Sequence, residues 1–261
     1  MEKGKNRKLE KLRKPFQGVY NIIRFNWHFY FLAFGAILIL FSISRIIPAS
    51  FQILINIFLI LILGTTLISL LISFYIYDLS GIYNLDWLKI SIESDSKIIN
   101  INAGFDETSS ILKNKFSDSE LKIFDFYDPL KNTEISIKRA RKAYPQNTAT
   151  IKINATLLPL ENNYADFIFI IFSAHEIRNE NERIIFFKEL NRILKTSGQI
   201  IIVEHIRNLA NLIVYNVGFF HFFSSEVWFK TFKNADLFVS KEIKFTPFIK
   251  AFLLQKNGNP S

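Results

Sequence analysis

Residues 165–204 read ADFIFIIFSAHEIRNENERIIFFKELNRILKTSGQIIIVE, and three elements are legible in them. Asp166–Phe172 is a short, unbroken apolar run of Phe and Ile, the pattern of a parallel strand buried on both faces. Asn179–Leu194 follows with helical spacing. Asn179 stands in capping position, Glu180 and Glu182 fall in the first turn, and Ile184, Phe187, Leu190 and Leu194 share one face. Arg192 and Lys195 suit the C-terminal end of this helix, and Gly198 suits its C′ region. Gln199–Val203 is the next strand. Strand, helix and strand at this spacing make a βαβ unit with parallel strands.

The alternation continues on both sides. Upstream, Lys97–Ile101, Leu121–Phe124 and Thr150–Ile153 read as strands, separated by helices over Thr108–Phe116 and Thr133–Tyr144. Downstream come a helix over Ser225–Ala235 and strands over Ser240–Phe245 and Ile249–Leu254. This order implies an α/β fold, a doubly wound sheet that binds ligands at the carboxyl ends of its strands. Asn102, Asp125, Asn154, His175 and the pair Glu204–His205 occupy those ends.

The first 77 residues differ from the rest. Lys3, Lys5, Arg7, Lys8, Lys11, Arg13, Lys14 and Arg24 face only Glu2 and Glu10. Phe25–Ser44 then contains no charged residue, and Ile46–Tyr77 is a second uncharged run. Each is long enough to span a bilayer, which takes ~20 apolar residues. Trp27, His28 and Tyr30 at one end, with Tyr75 and Tyr77 at the other, suit interfacial positions. Residues 1–24 therefore read as a basic cytoplasmic tail against anionic headgroups, 25–77 as a two-helix transmembrane hairpin, and 78–261 as a cytoplasmic domain. The expected location is an inner membrane of the bacterial type. The whole chain carries a net charge of +9, but the region after residue 77 is close to neutral. The basic balance thus speaks for membrane topology and against nucleic acid. Cysteine is absent, which excludes disulfides, Cys-ligated metals and thiol nucleophiles.

The segment from Leu158 (LPLENNYADFIFIIF) through Arg192–Gly198 (RILKTSG) to Glu204 resembles the class I S-adenosylmethionine (SAM)-dependent methyltransferases, of the small-molecule, methyltransferase-11-like type. Ala235-Asp236-Leu237 resembles a later motif of the same family. The resemblance covers roughly residues 95–256. It implies a Rossmann-like, mostly parallel seven-stranded sheet whose last strand is antiparallel, and SAM as cofactor. It carries SAM-binding roles to the loop after the first strand, Asn102, Ala103, Gly104, Phe105 and Asp106. It assigns the ribose hydroxyls to Asp125 beside Phe126, and the adenine to Asn154–Ala155; Ser173, after the fourth strand, joins the set. The family has an acidic residue followed by GxGxG at the first strand, whereas here Asn100 takes the acidic position and only Gly104 remains of the glycines. Asp106 and Glu107 could meet the methionine end of SAM. Asp125 also reads as a solvated turn residue, and Asn154 as an ordinary loop residue.

For the chemistry, His175, Glu176, His205 and His221 are the candidates, since three strand-end histidines of this sheet would converge over the site. A histidine could act as general base, its ordinary pKa lying near neutrality. A divalent metal held by the His/Glu set is the weaker alternative, because no His-x3-His pair is present. A histidine that caps a strand or bonds a loop is the plain one. The aromatic segment Asn208–Phe223 (NLANLIVYNVGFFHFF) suggests a cover over an apolar acceptor. The expected function is methyl transfer to an O, N or C nucleophile of a small, lipophilic acceptor. The alternative is a membrane-tethered, non-catalytic binding or scaffolding protein on a degenerate methyltransferase fold.

Overall fold

The computed structural model describes residues 13–132 and 134–258. The basic residues up to Lys11, and Thr133 at the expected start of a helix, lie outside the described residues. Two long helices open the chain, α1 (Gln17–Ser44) and α2 (Ala49–Phe74), the second entered from Pro48 and followed by a π turn over Tyr75–Leu79. Both are long and apolar enough to cross a membrane by length and composition. Of their most apolar stretches, 0% and 6% is buried within the protein. Helices of a soluble core would be mostly covered, and these are not.

α1 starts at Gln17, well before the uncharged run, because Asp78 captures its first turn. The Asp78 carboxylate accepts hydrogen bonds from the backbone N–H groups of Gly18 (2.8 Å) and Val19 (2.9 Å). These are donors that a helix start leaves free.

The sheet is built from β1 (Lys97–Asn102), β2 (Glu120–Asp125), β3 (Thr150–Lys152), β4 (Ala165–Ile171), β5 (Leu194–His205), β6 (Leu237–Lys244) and β7 (Ile249–Lys256). Its order is β3-β2-β1-β4-β5-β7-β6. The first five strands run parallel, and β7 is antiparallel to both β5 and β6. The order reverses between β1 and β4, which opens a crevice at their carboxyl ends. Connecting helices are α3 (Ser109–Lys115), α4 (Ile135–Ala143), α5 (Glu180–Ile193), α6 (Leu209–Tyr215) and α7 (Ser225–Asn234). Asn179 caps α5 as its sequence position implies, its side chain accepting from Glu182 N at 3.0 Å.

Alternate residues of each central strand face opposite layers. Ile200 and Ile202 join one core with Phe186, Phe187, Trp228 and Phe232 from α5 and α7. Ile201 and Val203 join a second core, which includes Ile76, Ile82, Tyr83, Leu85 and Leu88. The stretch following α2 is therefore part of the domain's own interior. Gly198 has a different role from the helix-end one its position suggests. α5 ends at Ile193 and β5 begins at Leu194, so Gly198 lies in a strand. A Cβ there would meet the backbone oxygens of Asp166 (2.9 Å) and Ala165 (3.0 Å), so glycine allows β5 to close against β4.

Candidate functional site

The loop after β1 builds one wall of the crevice. Asn100, where an acidic residue was expected, is fully buried and donates to Thr108 Oγ1 (2.9 Å) and Ser109 Oγ (2.7 Å). It pins the strand to the start of α3, a task an ionised carboxylate could not perform as a donor. Asp106 is turned toward the start of α3. Its Oδ1 accepts from the backbone N–H of Thr108 (3.0 Å) and Ser109 (2.9 Å), so it caps α3. Gly104 turns the loop at φ 97°, and its backbone lies so close to Tyr127 that a Cβ would fall 2.9 Å from the ring.

Asn102 is the loop residue that keeps a free donor. Its Oδ1 accepts from Gly104 N (3.2 Å), while its Nδ2 is buried and has no partner among the described residues. A cavity of about 90 Å³ opens beside it, bounded by Asn102, Ala103, Phe105, Glu107, Tyr83 and Glu176. Glu107 is crowded with donors. Tyr83 OH donates to its Oε2 at 2.7 Å, Arg13 Nη1 to its Oε1 at 2.9 Å, and Asn21 Nδ2 reaches the same Oε1 at 3.4 Å. Burial pushes the Tyr83 hydroxyl well above its usual pKa of 10, with the Glu107 charge adding to the effect, so it stays a donor. Phe25 of α1 closes edge-on over Phe105, ring centres 5.4 Å apart.

Asp125 ends β2, opposite Asn102 in register. Its carboxylate is buried but not idle. Oδ1 accepts from Tyr127 N at 2.8 Å; Oδ2 accepts from Arg141 Nη1 at 2.8 Å and also from Gln146 Nε2. The Arg141 guanidinium lies over the Tyr127 ring, 4.2 Å from its centre.

Four other expected cofactor contacts are engaged within the protein. Phe126 packs into the core against Phe186 (5.6 Å between ring centres). Asn154 is exposed and closes its own turn, accepting from the N–H and hydroxyl of Thr156, while Ala155 is buried in the core. Ser173 is buried at the switch point and donates to Ile101 O at 2.9 Å, which ties the end of β4 to β1.

Of the four candidate chemical residues, the structure brings three together. His175 Nδ1 lies 2.6 Å from Glu204 Oε2, its Nε2 lies 3.4 Å from Glu176 Oε1, and its ring centre is 6.2 Å from that of His221. Burial by itself would drive the His175 pKa down. The Glu204 and Glu176 carboxylates outweigh it and hold the imidazole well above 6.5, in its charged form. Glu176 is opposed by burial but held below its usual value by His175, and Asn132 Nδ2 donates to its Oε2 at 3.2 Å. Glu134 is an arrival that the sequence reading missed. Its carboxylate pairs with His221 Nε2, and single ligand atoms of Glu134, Glu176 and His221 lie within 4.8 Å of one another. Among the charges nearby, Arg178 offsets part of this negative cluster. A Glu just before a basic helix carries no motif that would have singled it out.

His205 stands apart from this group. It is buried between Phe172 and Phe222, its ring stacked 4.7 Å from the latter, with Tyr77 OH 2.7 Å from its Nε2. Burial, with the nearby His175 charge, lowers its pKa to about 3. It is neutral at neutral pH and packed between aromatic rings.

The site meets SAM in part. The loop cavity, the unpaired Asn102 amide and the buried Asp125 lie where a cofactor of this fold would lie. The cavity, however, is smaller than the ~300 Å³ that even a modest ligand pocket encloses, and Arg141 and Gln146 take up Asp125. The residues present fit one end of SAM with Arg141 where it is, and the ribose side is closed.

Residues 130–202 match a family described as "Methyltransferase domain". No curated protein matches the chain in sequence. Among solved structures, a protein of Pyrococcus horikoshii OT3 is similar at 17% identity and TM-score 0.50, over 68% of this chain and 90% of that one. A SAM-dependent methyltransferase of Aquifex aeolicus is similar at 15% identity and TM-score 0.49, over 73% and 97%. One from Methanosarcina mazei stands at 16% and 0.47, over 66% and 97%. The matched segment runs from the end of the β2 loop through α5 into β5, the stretch that carries Glu134, His175 and Glu176. Over residues 130–202, set within this sheet order, the chain is similar to that methyltransferase family.

Proposed function

We propose that the chain is a membrane-anchored methyltransferase acting on a small, lipid-soluble acceptor, with its domain and N-terminus on the cytoplasmic side of an inner membrane. The observation that carries the acceptor class is the pair of long apolar helices left uncovered by the protein, whose connection to β1 is part of the domain core. Such an anchor holds the crevice at the bilayer surface, where a lipophilic acceptor is concentrated. The basic tail rests against anionic headgroups; nucleic acid is not the partner.

SAM supplies a methyl group on a cationic sulfur. Toward it, this chain offers Asn102, Ala103, Gly104 and Phe105 at the loop, and Asp125 for the ribose hydroxyls once Arg141 and Gln146 release it. Glu176 bounds the cavity and stays ionised, oriented by the His175 cation and the Asn132 amide. Its Oε1 can accept the proton of an acceptor hydroxyl or amine and fix that nucleophile in line with the methyl. His221 and Glu134 pair beside Glu176 and orient the acceptor from that side.

The test is calorimetry of the full chain in lipid nanodiscs with SAM and S-adenosylhomocysteine, followed by methyl transfer from radiolabelled SAM to a lipid extract or an aqueous extract. Label in the lipid fraction is the expected result. A second reading, a non-catalytic binding protein on this fold, is favoured by one observation, the closure of Asp125 by Arg141 and Gln146. Absence of SAM binding by the full chain would select it.

A further inference from the structure

Helix α6 is turned the wrong way for a helix in water. Its inward side is fixed by buried polar bonds: Asn211 is fully buried and donates to Ile206 O (2.7 Å) and Phe248 O (2.8 Å), and Asn208 caps the helix by accepting from Asn211 N. Val214 is buried on the same side. The outward side is apolar. Leu209, Leu212 and Ile213, spaced i, i+3 and i+4, are 71%, 39% and 54% exposed, and Phe220 in the next turn is 63% exposed. The usual helix at a protein surface has the opposite distribution, and a contiguous exposed apolar patch marks a contact surface.

Two observations say what covers this one. α6 packs against α2, and the Tyr215 ring that ends it packs edge-on against His205, to which Tyr77 just beyond α2 is hydrogen-bonded. The stripe is thus continuous with the uncovered apolar surface of the hairpin, at the level where the hairpin gives way to the domain. Basic residues flank the tip: Arg207 Nη2 donates to Phe220 O (2.7 Å), and Arg178 donates to the carbonyls of His221 and Phe220. An apolar tip with arginines at its edge matches the boundary between acyl chains and anionic headgroups.

We propose that the outward face formed by Leu209, Leu212, Ile213 and Phe220 is immersed in the cytoplasmic leaflet of the bilayer and forms the wall through which the acceptor leaves the lipid for the cluster at His221. This rests on the membrane anchoring proposed above. The occupant of the stripe is lipid rather than a second copy of the chain.

The chain has no cysteine, so single introduced thiols can be labelled without a background. The experiment places a nitroxide at Ile213→Cys and, separately, at Leu209→Cys in the full chain, reconstituted in nanodiscs of phosphatidylcholine and phosphatidylglycerol. Leu61→Cys in α2 serves as the lipid reference and Lys241→Cys on β6 as the water reference. Collision rates with oxygen and with a water-soluble nickel chelate are read for each. Oxygen-to-nickel ratios at Ile213 and Leu209 several-fold above Lys241, approaching Leu61, are expected. Ratios equal to those at Lys241, with Leu61 lipid-like, overturn the proposal and leave the anchor standing. Shielding of Ile213 from both reagents, with broadening between labels, overturns it in favour of a second copy. A water-like Leu61 overturns the anchor and this proposal together. SAM calorimetry on the unmodified chain reports on the methyltransferase reading independently of all these outcomes.

Discussion

Arg141 Nη1 sits 2.8 Å from Asp125 Oδ2, and this pair shuts the carboxylate in which β2 ends. The Asp125 side chain is 2% exposed and that of Arg141 26%, so the arginine covers the aspartate from the solvent side. Two residues before it, Arg139 donates to Phe25 O and His28 Nδ1 of α1, both at 2.7 Å. A single turn of α4 therefore grips α1 with one arginine and the strand-end aspartate with another.

Removing the arginine that holds Asp125 should open the ribose side. Arg141→Ala is expected to tighten SAM binding by about three- to tenfold, and Asp125→Ala to weaken it by at least about tenfold, when read by calorimetry on the full chain. The arginine variant also leaves Asp125 with fewer donors. Unpairing a buried group costs about 1–3 kcal/mol, so a lower melting temperature should accompany the tighter binding. Weaker binding by Arg141→Ala would show that the guanidinium supports the cofactor rather than obstructs it.

The His175–Glu176–Glu204 network sets a pH window for activity. His175 is held charged well above 6.5, so its contribution to stability is full below pH ~6.5 and is lost as pH rises through its raised value. Glu176 is lowered from 4.5, so its contribution is full above that value and is lost as pH falls through the lowered one. Methyl transfer should therefore decline on the alkaline side as the imidazolium facing Glu176, Glu204, Glu134 and Arg178 loses its proton. Glu204→Gln should move that decline toward lower pH. Glu176→Gln should reduce kcat about 100-fold with little change in KM. A kcat unaltered by Glu176→Gln would remove it from the proposed role.

His205 gives the opposite pH signature. With a folded-state pKa of about 3, it stays neutral where the unfolded chain takes up a proton. Its contribution is present above pH ~6.5 and falls by about 1.4 kcal/mol per pH unit as the pH drops toward 3. Chemical denaturation at pH 7 and pH 5 should show this loss in the native chain. His205→Gln, which cannot ionise, should be less stable at pH 7 but lose less between the two. A proton-independent difference between the proteins would contradict the buried neutral assignment.

Gly18 is where α1 meets the domain. A Cβ there would run into Tyr77 Cβ and lie 2.9 Å from Asp78 Oδ2, the carboxylate that caps α1. Gly18→Val should lower the melting temperature in detergent by several degrees, the effect of about 1–3 kcal/mol of overpacking. It should also increase proteolysis near residues 13–25. A melting temperature equal to that of the native chain would mean the contact yields without strain.

The sequence alone determined the elements and their order, because each depends on local spacing. The Asp166–Phe172 run, the capped helix after Asn179 and the Gln199–Val203 run give a βαβ unit whatever lies around them. Two charge-free runs give two long apolar helices for the same reason. The strand-end positions, Asn102, Asp125, Ser173, His175 and Glu204, followed from that order. Which of them holds a free group did not follow. Asp106 and Asp125 are equally acidic in sequence, yet one caps α3 and the other is claimed by Arg141, from a helix that reaches it only in three dimensions. His175 and His205 are the same side chain after neighbouring strands. Carboxylates surround one and aromatic rings the other, so the cost of burying a charge is offset in the first and left uncompensated in the second. Glu134 entered the cluster, and the hairpin fused to the domain through Asp78 and the 76–88 core, by contacts between residues far apart in the chain. Local pattern fixes what a segment becomes; the partners brought to it by packing decide the charge and reach of each side chain, and hence the chemistry.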